Sequence, residues 1–138
     1  MSTALDSRSR YRVLVVDDDP SVLDSTAAVL STEVEVATAS SAETALRLLA
    51  AEPFDVVCAD FKMSGMNGAE LLARVAELPR PVGCLLITGN DGYFGAETGA
   101  RHHVLLKPFD PERLLQLVVQ LGRIARQRRS IGPPTPAG

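Results

Sequence analysis

Five short apolar runs, spaced along the whole chain, constrain the fold more than any other feature of the sequence. They cover residues 12–16, 34–38, 54–59, 82–87 and 103–106. Each run is nearly continuous in apolar residues, which is typical of a strand buried on both faces of a sheet. Helical signals separate the runs, and right-handed crossovers then produce a parallel sheet with helices on both faces. We predict a doubly wound α/β fold with five parallel strands.

Capping residues indicate where the helices begin. The predicted caps are Asp19, Ser40, Asn67 and Asp110. Proline follows the first and last of these, and a glutamate three residues after the other two fits a capping box. The segment 89–101, where a fourth helix is expected, contains four glycines, each of which costs about 1 kcal/mol relative to alanine in a helix. We expect this fourth helix to be short or mobile.

Length and charge limit the kind of protein. The chain has 138 residues, a net charge of -3 and a pI near 5.3, so we expect one domain that binds neither nucleic acid nor a membrane surface. No signal peptide or transmembrane run is visible, which predicts a cytoplasmic protein. The predicted organisation is a flexible N-terminus at 1–10, a folded domain at 11–126 and a disordered basic, Pro/Gly-rich tail at 127–138.

The two cysteines, Cys58 and Cys84, each lie within an apolar run. They can be neighbours in the sheet. Two buried thiols are the favoured interpretation, because no ligand spacing surrounds them and disulfides are rare in the cytosol.

Four of the five apolar runs end on polar residues that can carry out chemistry. The first ends on Asp17 and Asp18, the third on Asp60, the fourth on Thr88 and the fifth on Lys107. In a parallel sheet these ends meet at one edge, where α/β proteins place their sites. Two carboxylates about 4 Å apart repel by roughly 4 kcal/mol at an effective dielectric near 20, so the cluster should hold a proton or a cation, and oxygen ligands favour Mg²⁺. The set suits phosphoryl transfer to Asp60.

Each of these residues also has a simpler interpretation. Asp18 can cap the first helix, Thr88 can be a turn residue and Lys107 a solvated lysine. Together these interpretations fail, because random loop composition does not place complementary groups at four separate strand ends. Gly65 and Gly68 are interpreted as structural turn residues.

Four motifs resemble the receiver domain of the two-component response regulator family. They are VLVVDDDPSV, DVVCADFKMSGMNGAELL, LLITGN and VLLKPF. They occur in the family's order and approximate spacing, and the resemblance covers residues 11 to about 126. It implies a flavodoxin-like strand order of 2-1-3-4-5.

The resemblance implies a metal site at the acidic residues. Asp60 accepts the phosphoryl group, Asp17 and Asp18 hold Mg²⁺ directly or through water, and Asp60 and the backbone carbonyl of Lys62 complete the site. Ser64 stands where the family commonly has proline, and we expect this change to loosen the loop slightly.

The resemblance also implies the residues of the switch. Thr88 and Lys107 bind phosphoryl oxygens, and Thr88 moves inward when the acceptor is modified. Val104 occupies the position of the usual switch aromatic, a departure that places the output face in question. Lys62 and Asn90 are expected to modulate the site; the Lys62 ammonium either slows water attack on the acyl phosphate or pairs with an empty acidic pocket.

The implied function is a signalling switch phosphorylated by a histidine kinase or a phosphotransfer protein. Its output would be contact with a protein target that the sequence does not identify, and receivers of this kind also form homodimers. We expect no enzymatic activity beyond Mg-dependent self-phosphorylation and self-dephosphorylation, and no attached effector domain, because the sequence after residue 126 is too short to form one.

Two alternatives use the same fold class. A haloacid-dehalogenase-type phosphatase would use Asp17 as nucleophile and Asp19 as acid, but the chain is short, Ser21 stands where Thr or Val is expected, and no acidic strand end follows Lys107. A nucleotide-binding Rossmann unit would need a glycine-rich turn after the first strand, where this chain has carboxylates that would repel a pyrophosphate.

Overall fold

The fold consists of one parallel sheet with helices on both faces. The structure is a computed structural model that describes residues 10–89 and 102–131. Its strands are β1 Arg12–Val16, β2 Glu35–Ala39, β3 Val56–Asp60, β4 Gly83–Thr88 and β5 His103–Leu106. Its helices are α1 Pro20–Leu30, α2 Ala42–Ala51, α3 Gly68–Ala76 and α4 Pro111–Ile131.

The strand order is β2-β1-β3-β4-β5, and all neighbouring pairs are parallel. The predicted doubly wound α/β fold and its 2-1-3-4-5 order are therefore confirmed. The strand boundaries lie within two residues of the predicted apolar runs. No helix in the described ranges combines the length and apolarity needed to span a membrane.

Alternate residues of the central strands enter two separate hydrophobic cores. Val13 and Val15 of β1 face one core, which also contains apolar side chains of α1 and α4. Leu14 and Val16 face the other, with side chains of α2 and α3. Because both faces of β1, β3 and β4 are covered, these strands need apolar residues at almost every position. This packing explains the continuous apolar runs in the sequence.

The helix caps follow the sequence with one correction. Asp19 caps α1 and accepts the N–H of the second residue after it, and Asn67 forms a full capping box with the glutamate three residues later. The prediction of Ser40 as the cap of α2 was wrong by one residue, since Ser41 accepts the Thr44 N–H at 3.1 Å. Two adjacent serines have the same capping chemistry, so the sequence pattern did not distinguish them; the first helical residue, Ala42, is buried.

Helix α4 continues through Ile131. Residues 127–131 are therefore helical, whereas the sequence predicted that a disordered tail begins at 127. Arg126 and Arg129 both form ion pairs with Asp55, and these contacts fasten the last turns of the helix to the sheet. Composition alone does not reveal this anchoring.

Several predictions concern parts of the chain outside the described residues. These are the flexible N-terminus up to residue 9, the short or mobile helix within 90–101, the modulating role of Asn90, and the tail after residue 131. They stay predictions.

The two cysteines are free and buried, as predicted. Cys58 packs in the core beneath α1 and α4, and Cys84 packs in the core beneath α2 and α3. They therefore lie on opposite faces of the sheet. Burial raises the pKa of each thiol to about 12.

Candidate functional site

The register of the central strands places two acidic residues side by side. Val16 of β1 pairs with Ala59 of β3, and so the next residue of each strand, Asp17 and Asp60, emerges at the same edge of the sheet. Both side chains are largely buried. The predicted pair of strand-end carboxylates is thus present in the structure.

The ends of β4 and β5 bring a hydroxyl and an ammonium to the same edge. Thr88 is 1% exposed, and its carbonyl oxygen accepts the N–H of Lys107 at 2.8 Å. The Lys107 ammonium lies 2.6 Å from Oδ1 of Asp60, and the peptide bond that follows Lys107 is cis. The Asp60 side chain is 10% exposed and that of Lys107 is 39% exposed. The Lys107 ammonium therefore reaches the buried Asp60 carboxylate from the solvent side.

Burial and neighbouring charge act together on Asp17. Burial raises the pKa of its carboxyl most strongly, and the charge of Asp60 raises it further. The N–H of Asp19, which Asp17 Oδ1 accepts at 2.9 Å, opposes this shift, as does the charge of Lys107. Because the net shift is upward, the site stabilises the negative charge of Asp17 poorly and would gain from an added cation.

Asp18 points to the loop after β3. Its Oδ2 accepts the Ser64 N–H at 2.9 Å and the Ser64 hydroxyl at 3.3 Å. A proline at this position has neither donor, and so the replacement of proline by Ser64 ties the loop to Asp18. We expected Ser64 to loosen the loop because it lacks the rigid ring of proline, but its hydrogen bonds to Asp18 act in the opposite direction. No sequence signal reveals this contact, because it joins residues 46 positions apart.

A glycine allows the loop after β3 to return close to the acceptor. A Cβ at Gly68 would lie 2.3 Å from the Asp60 carbonyl oxygen, far inside any permitted contact. The Gly68 N–H instead donates to the carbonyl of Phe61 at 3.0 Å. Gly65 has φ of +76°, the left-handed region that favours glycine. Both glycines are structural, in agreement with the sequence interpretation, and Gly68 also contacts the acceptor residue.

Carboxylate oxygens at this edge are the ligands that Mg²⁺ prefers, so the donor chemistry fits the implied metal. Asp17 and Asp60 lie side by side at the paired ends of β1 and β3, and Asp18 follows Asp17 directly. Within residues 10–89 and 102–131, no three acidic, histidine or cysteine side chains are already arranged as a ligand set. In this structure Lys107 pairs with Asp60, and Ser64 donates hydrogen bonds to Asp18.

The remaining predicted site residues lie at the rim. Lys62 is exposed and forms no ion pair with any described residue, so the expected pairing with the acidic pocket does not occur in this structure. Val104 lies in β5 and is 39% exposed. Its side chain gives this strand an apolar surface without an aromatic ring.

Comparison with known proteins identifies the family. The sequence model of the response regulator receiver domain matches residues 13–119. The chain therefore belongs to the response regulator receiver family, as the four motifs predicted. Receiver domains generally bind Mg²⁺ at an acidic pocket of this kind.

Individual relatives agree with this assignment. The DNA-binding response regulator MtrA of Mycolicibacterium smegmatis is 36% identical over 133 residues, which cover 91% of this chain and 54% of MtrA. The hydrogenase transcriptional regulatory protein HoxA of Cupriavidus necator is 34% identical over 118 residues, which cover 83% of this chain and 24% of HoxA. The chain thus spans between about a quarter and half of the length of these two relatives.

Solved structures show the same architecture. A CheY-like receiver domain protein from Methanospirillum hungatei JF-1 is 30% identical and superimposes with a TM-score of 0.76, covering 87% of this chain and 99% of its own. The signal receiver domain of a Luxo repressor protein from Vibrio parahaemolyticus, at 19% identity and a TM-score of 0.78, shares the fold.

Proposed function

We propose that this chain is a signalling switch that accepts a phosphoryl group on Asp60 from a histidine kinase or a phosphotransfer protein. The observation that carries the proposal is the 2.6 Å contact between the Lys107 ammonium and the buried Asp60 carboxylate. Asp17 lies beside this pair at the same strand ends. Membership of the receiver family favours this function over the phosphatase that would use Asp17 as nucleophile.

The transfer requires a nucleophile and positive charge at fixed positions. An Asp60 oxygen attacks the phosphorus of a phosphohistidine, a P–O bond forms, the P–N bond breaks and the imidazole leaves with the bonding electrons and takes up a proton. Lys107 and the Thr88 hydroxyl donate hydrogen bonds to the phosphoryl oxygens as charge moves onto them. Attack by water on the same phosphorus later releases phosphate and restores the carboxylate. We propose that the chain has no enzymatic activity beyond this Mg-dependent self-phosphorylation and self-dephosphorylation.

Mg²⁺ is the proposed cofactor. Asp17, Asp18, Asp60 and the Lys62 carbonyl would hold it, and it would offset negative charge between the acids and the phosphoryl group. Binding requires the exposed Asp18 carboxylate to share or leave its hydrogen bonds with Ser64. The exposed Lys62 side chain would then slow the approach of water to the phosphoryl group.

The output is proposed to be protein contact, with a downstream target or with a second copy of the chain. Inward movement of Thr88 on phosphorylation would transmit the change to the sheet edge at β5. The chain is proposed to act in the cytoplasm and to contact neither nucleic acid nor a membrane, in keeping with its net charge of -3.

Intact mass measurement tests phosphorylation directly. The protein is incubated with acetyl phosphate and Mg²⁺, and wild type is compared with Asp60→Asn and with the control Asp24→Asn, which alters an exposed acid on α1. We expect wild type and the control to gain the mass of one phosphoryl group and Asp60→Asn to gain none. Equal modification of Asp60→Asn would refute the assignment.

Calorimetric titration tests the metal site. We expect Mg²⁺ affinity to fall by at least tenfold in Asp18→Ala, because one carboxylate ligand is lost, and to stay at the wild-type value in Asp24→Ala. An equal affinity for all three proteins would remove Asp18 from the proposed ligand set.

A further inference from the structure

A pocket rich in arginine lies at the edge of the sheet opposite the phosphoacceptor. Its volume is about 420 Å³. Asp55, at its floor, immediately precedes β3, whereas Asp60 is the last residue of that strand. Five steps of about 3.3 Å along a strand separate the two sites by roughly 16 Å. The arginines that line the pocket are Arg10, Arg12, Arg80, Arg126 and Arg129.

Acidic groups neutralise only part of this charge. Asp55 pairs with both Arg126 and Arg129. Arg12 pairs with Glu52 at 2.8 Å and with Glu35 at 3.6 Å. Among the described residues, five guanidinium groups therefore meet three carboxylates, a difference of two positive charges.

The excess lies on two arginines. Arg80 is exposed and has no hydrogen bond or ion pair with the residues the structure describes. Partial burial lowers the pKa of its guanidinium, and the charge of Arg129 lowers it further, with a larger effect than the opposing charge of Asp55. Within the same described ranges, the Arg10 guanidinium donates only to backbone carbonyls, those of Ser31 and Val34.

We propose that this pocket binds a small molecule through its phosphate groups, with the Arg80 guanidinium as the principal ligand. Guanidinium groups bind phosphate oxygens in pairs of parallel hydrogen bonds, and arginine is favoured over lysine where this geometry matters. The volume lies within the range of about 300–1,000 Å³ that is typical of small-molecule sites. A bound oxyanion would supply the negative charge that the carboxylates leave unmatched.

The charge distribution favours a small ligand over a nucleic acid. The chain as a whole carries a charge of -3, and the positive excess is concentrated in one pocket instead of a broad stripe along a helix or a face. A nucleic acid would need such a stripe to follow its backbone.

The test is an NMR titration with inorganic pyrophosphate, without divalent metal and at constant ionic strength. We expect saturable shifts at the backbone amides of Arg80 and Val82 and little change at those of Asp17 and Asp60. Inorganic phosphate should bind the same amides more weakly, because it carries fewer oxygens and less charge.

Variants separate a specific site from general charge attraction. Arg80→Ala should weaken pyrophosphate binding by about tenfold or more, as expected from the loss of charge-assisted hydrogen bonds. The affinity of Arg80→Lys should lie between those of wild type and Arg80→Ala. The matched control is Arg74→Ala, which removes the same charge from the last turn of α3 and should bind as wild type does. Equal weakening in Arg80→Ala and Arg74→Ala, shifts at another surface, or no saturable binding would overturn the proposal.

Discussion

Asp55 joins the C-terminal end of α4 to the centre of the sheet, and its removal should unfold the protein at lower temperature. Its side chain is 5% exposed. It accepts hydrogen bonds from the Arg12 backbone N–H at 2.8 Å, from Arg126 at 3.0 and 3.2 Å, and from Arg129. In Asp55→Asn the charge is lost, and an amide NH2 group replaces one of the two carboxylate oxygens. This group is a hydrogen-bond donor and would face the donor groups of the guanidiniums.

The size of the effect follows from these contacts. Removing one partner of a buried ion pair costs about 3–5 kcal/mol. Arg126 and Arg129 keep 34% and 20% of their side-chain exposure, so water compensates part of the loss, and we expect about 2–3 kcal/mol, as for hydrogen bonds to a charged group. In a domain of this size the melting temperature should fall by roughly 10 °C.

The pH dependence supplies an independent check. Burial acts to raise the pKa of Asp55, but the hydrogen bonds from Arg126, the Arg12 N–H and Arg129 outweigh it and hold the pKa below its ordinary value of 3.8. The stabilisation is therefore fully present above about pH 3.8 and is lost as the pH falls through the lower pKa of the folded state. The difference between wild type and Asp55→Asn should shrink in the same range.

Urea unfolding followed by circular dichroism, from pH 7 down to pH 3, measures both effects. The control is Asp24→Asn, the same chemical change at an exposed position of α1, which should alter stability by less than about 0.5 kcal/mol. If Asp55→Asn unfolds at the same urea concentration as the control, the ion pairs contribute no stability and the reasoning is refuted.

Three further predictions follow from single residues. Gly68→Ala should destabilise the fold by about 1–3 kcal/mol and slow phosphorylation by acetyl phosphate, because the new Cβ would lie 2.3 Å from the carbonyl oxygen of Asp60. The control is Gly65→Ala, whose Cβ would meet no atom within 4 Å. This variant should be strained only by its positive φ and should keep the wild-type phosphorylation rate. Cys58 and Cys84, with pKa values of about 12, should resist a thiol reagent until urea unfolds the protein, and rapid modification at pH 8 would contradict their burial. Asp17→Asn should be more stable than wild type at neutral pH, because the raised pKa means that the fold disfavours the charged form of Asp17. The difference in free energy of unfolding between the two proteins should be small below pH 3.8 and should grow as the pH rises. A difference that stays constant across a pH series of unfolding measurements would contradict this.

The fold and the positions at the site could be predicted because they depend on local pattern. Apolar runs specify strands, and the residue that ends each strand is adjacent to it in sequence, so Asp17, Asp60, Thr88 and Lys107 were predicted at one edge and the structure places them there. The roles that these residues would play in phosphoryl transfer stay predictions.

Contacts between distant parts of the chain could not be predicted in the same way. The pairing of Asp55 with Arg126 and Arg129 joins residues 71 and 74 positions apart, and the arginines alone suggested only a favourable helix terminus. The hydrogen bonds from Ser64 to Asp18 are of the same kind. Such contacts depend on how loops and helix ends meet, which local periodicity does not encode.

Mapping the phosphoryl group to a residue tests the central claim most directly. The protein is treated with acetyl phosphate and Mg²⁺, the acyl phosphate is reduced with borohydride, and the peptides are sequenced by mass spectrometry. Reduction converts a phosphorylated aspartate into homoserine, which marks its position. The account predicts the mark at Asp60 alone, whereas a mark at Asp17, or no mark at either residue, would contradict it.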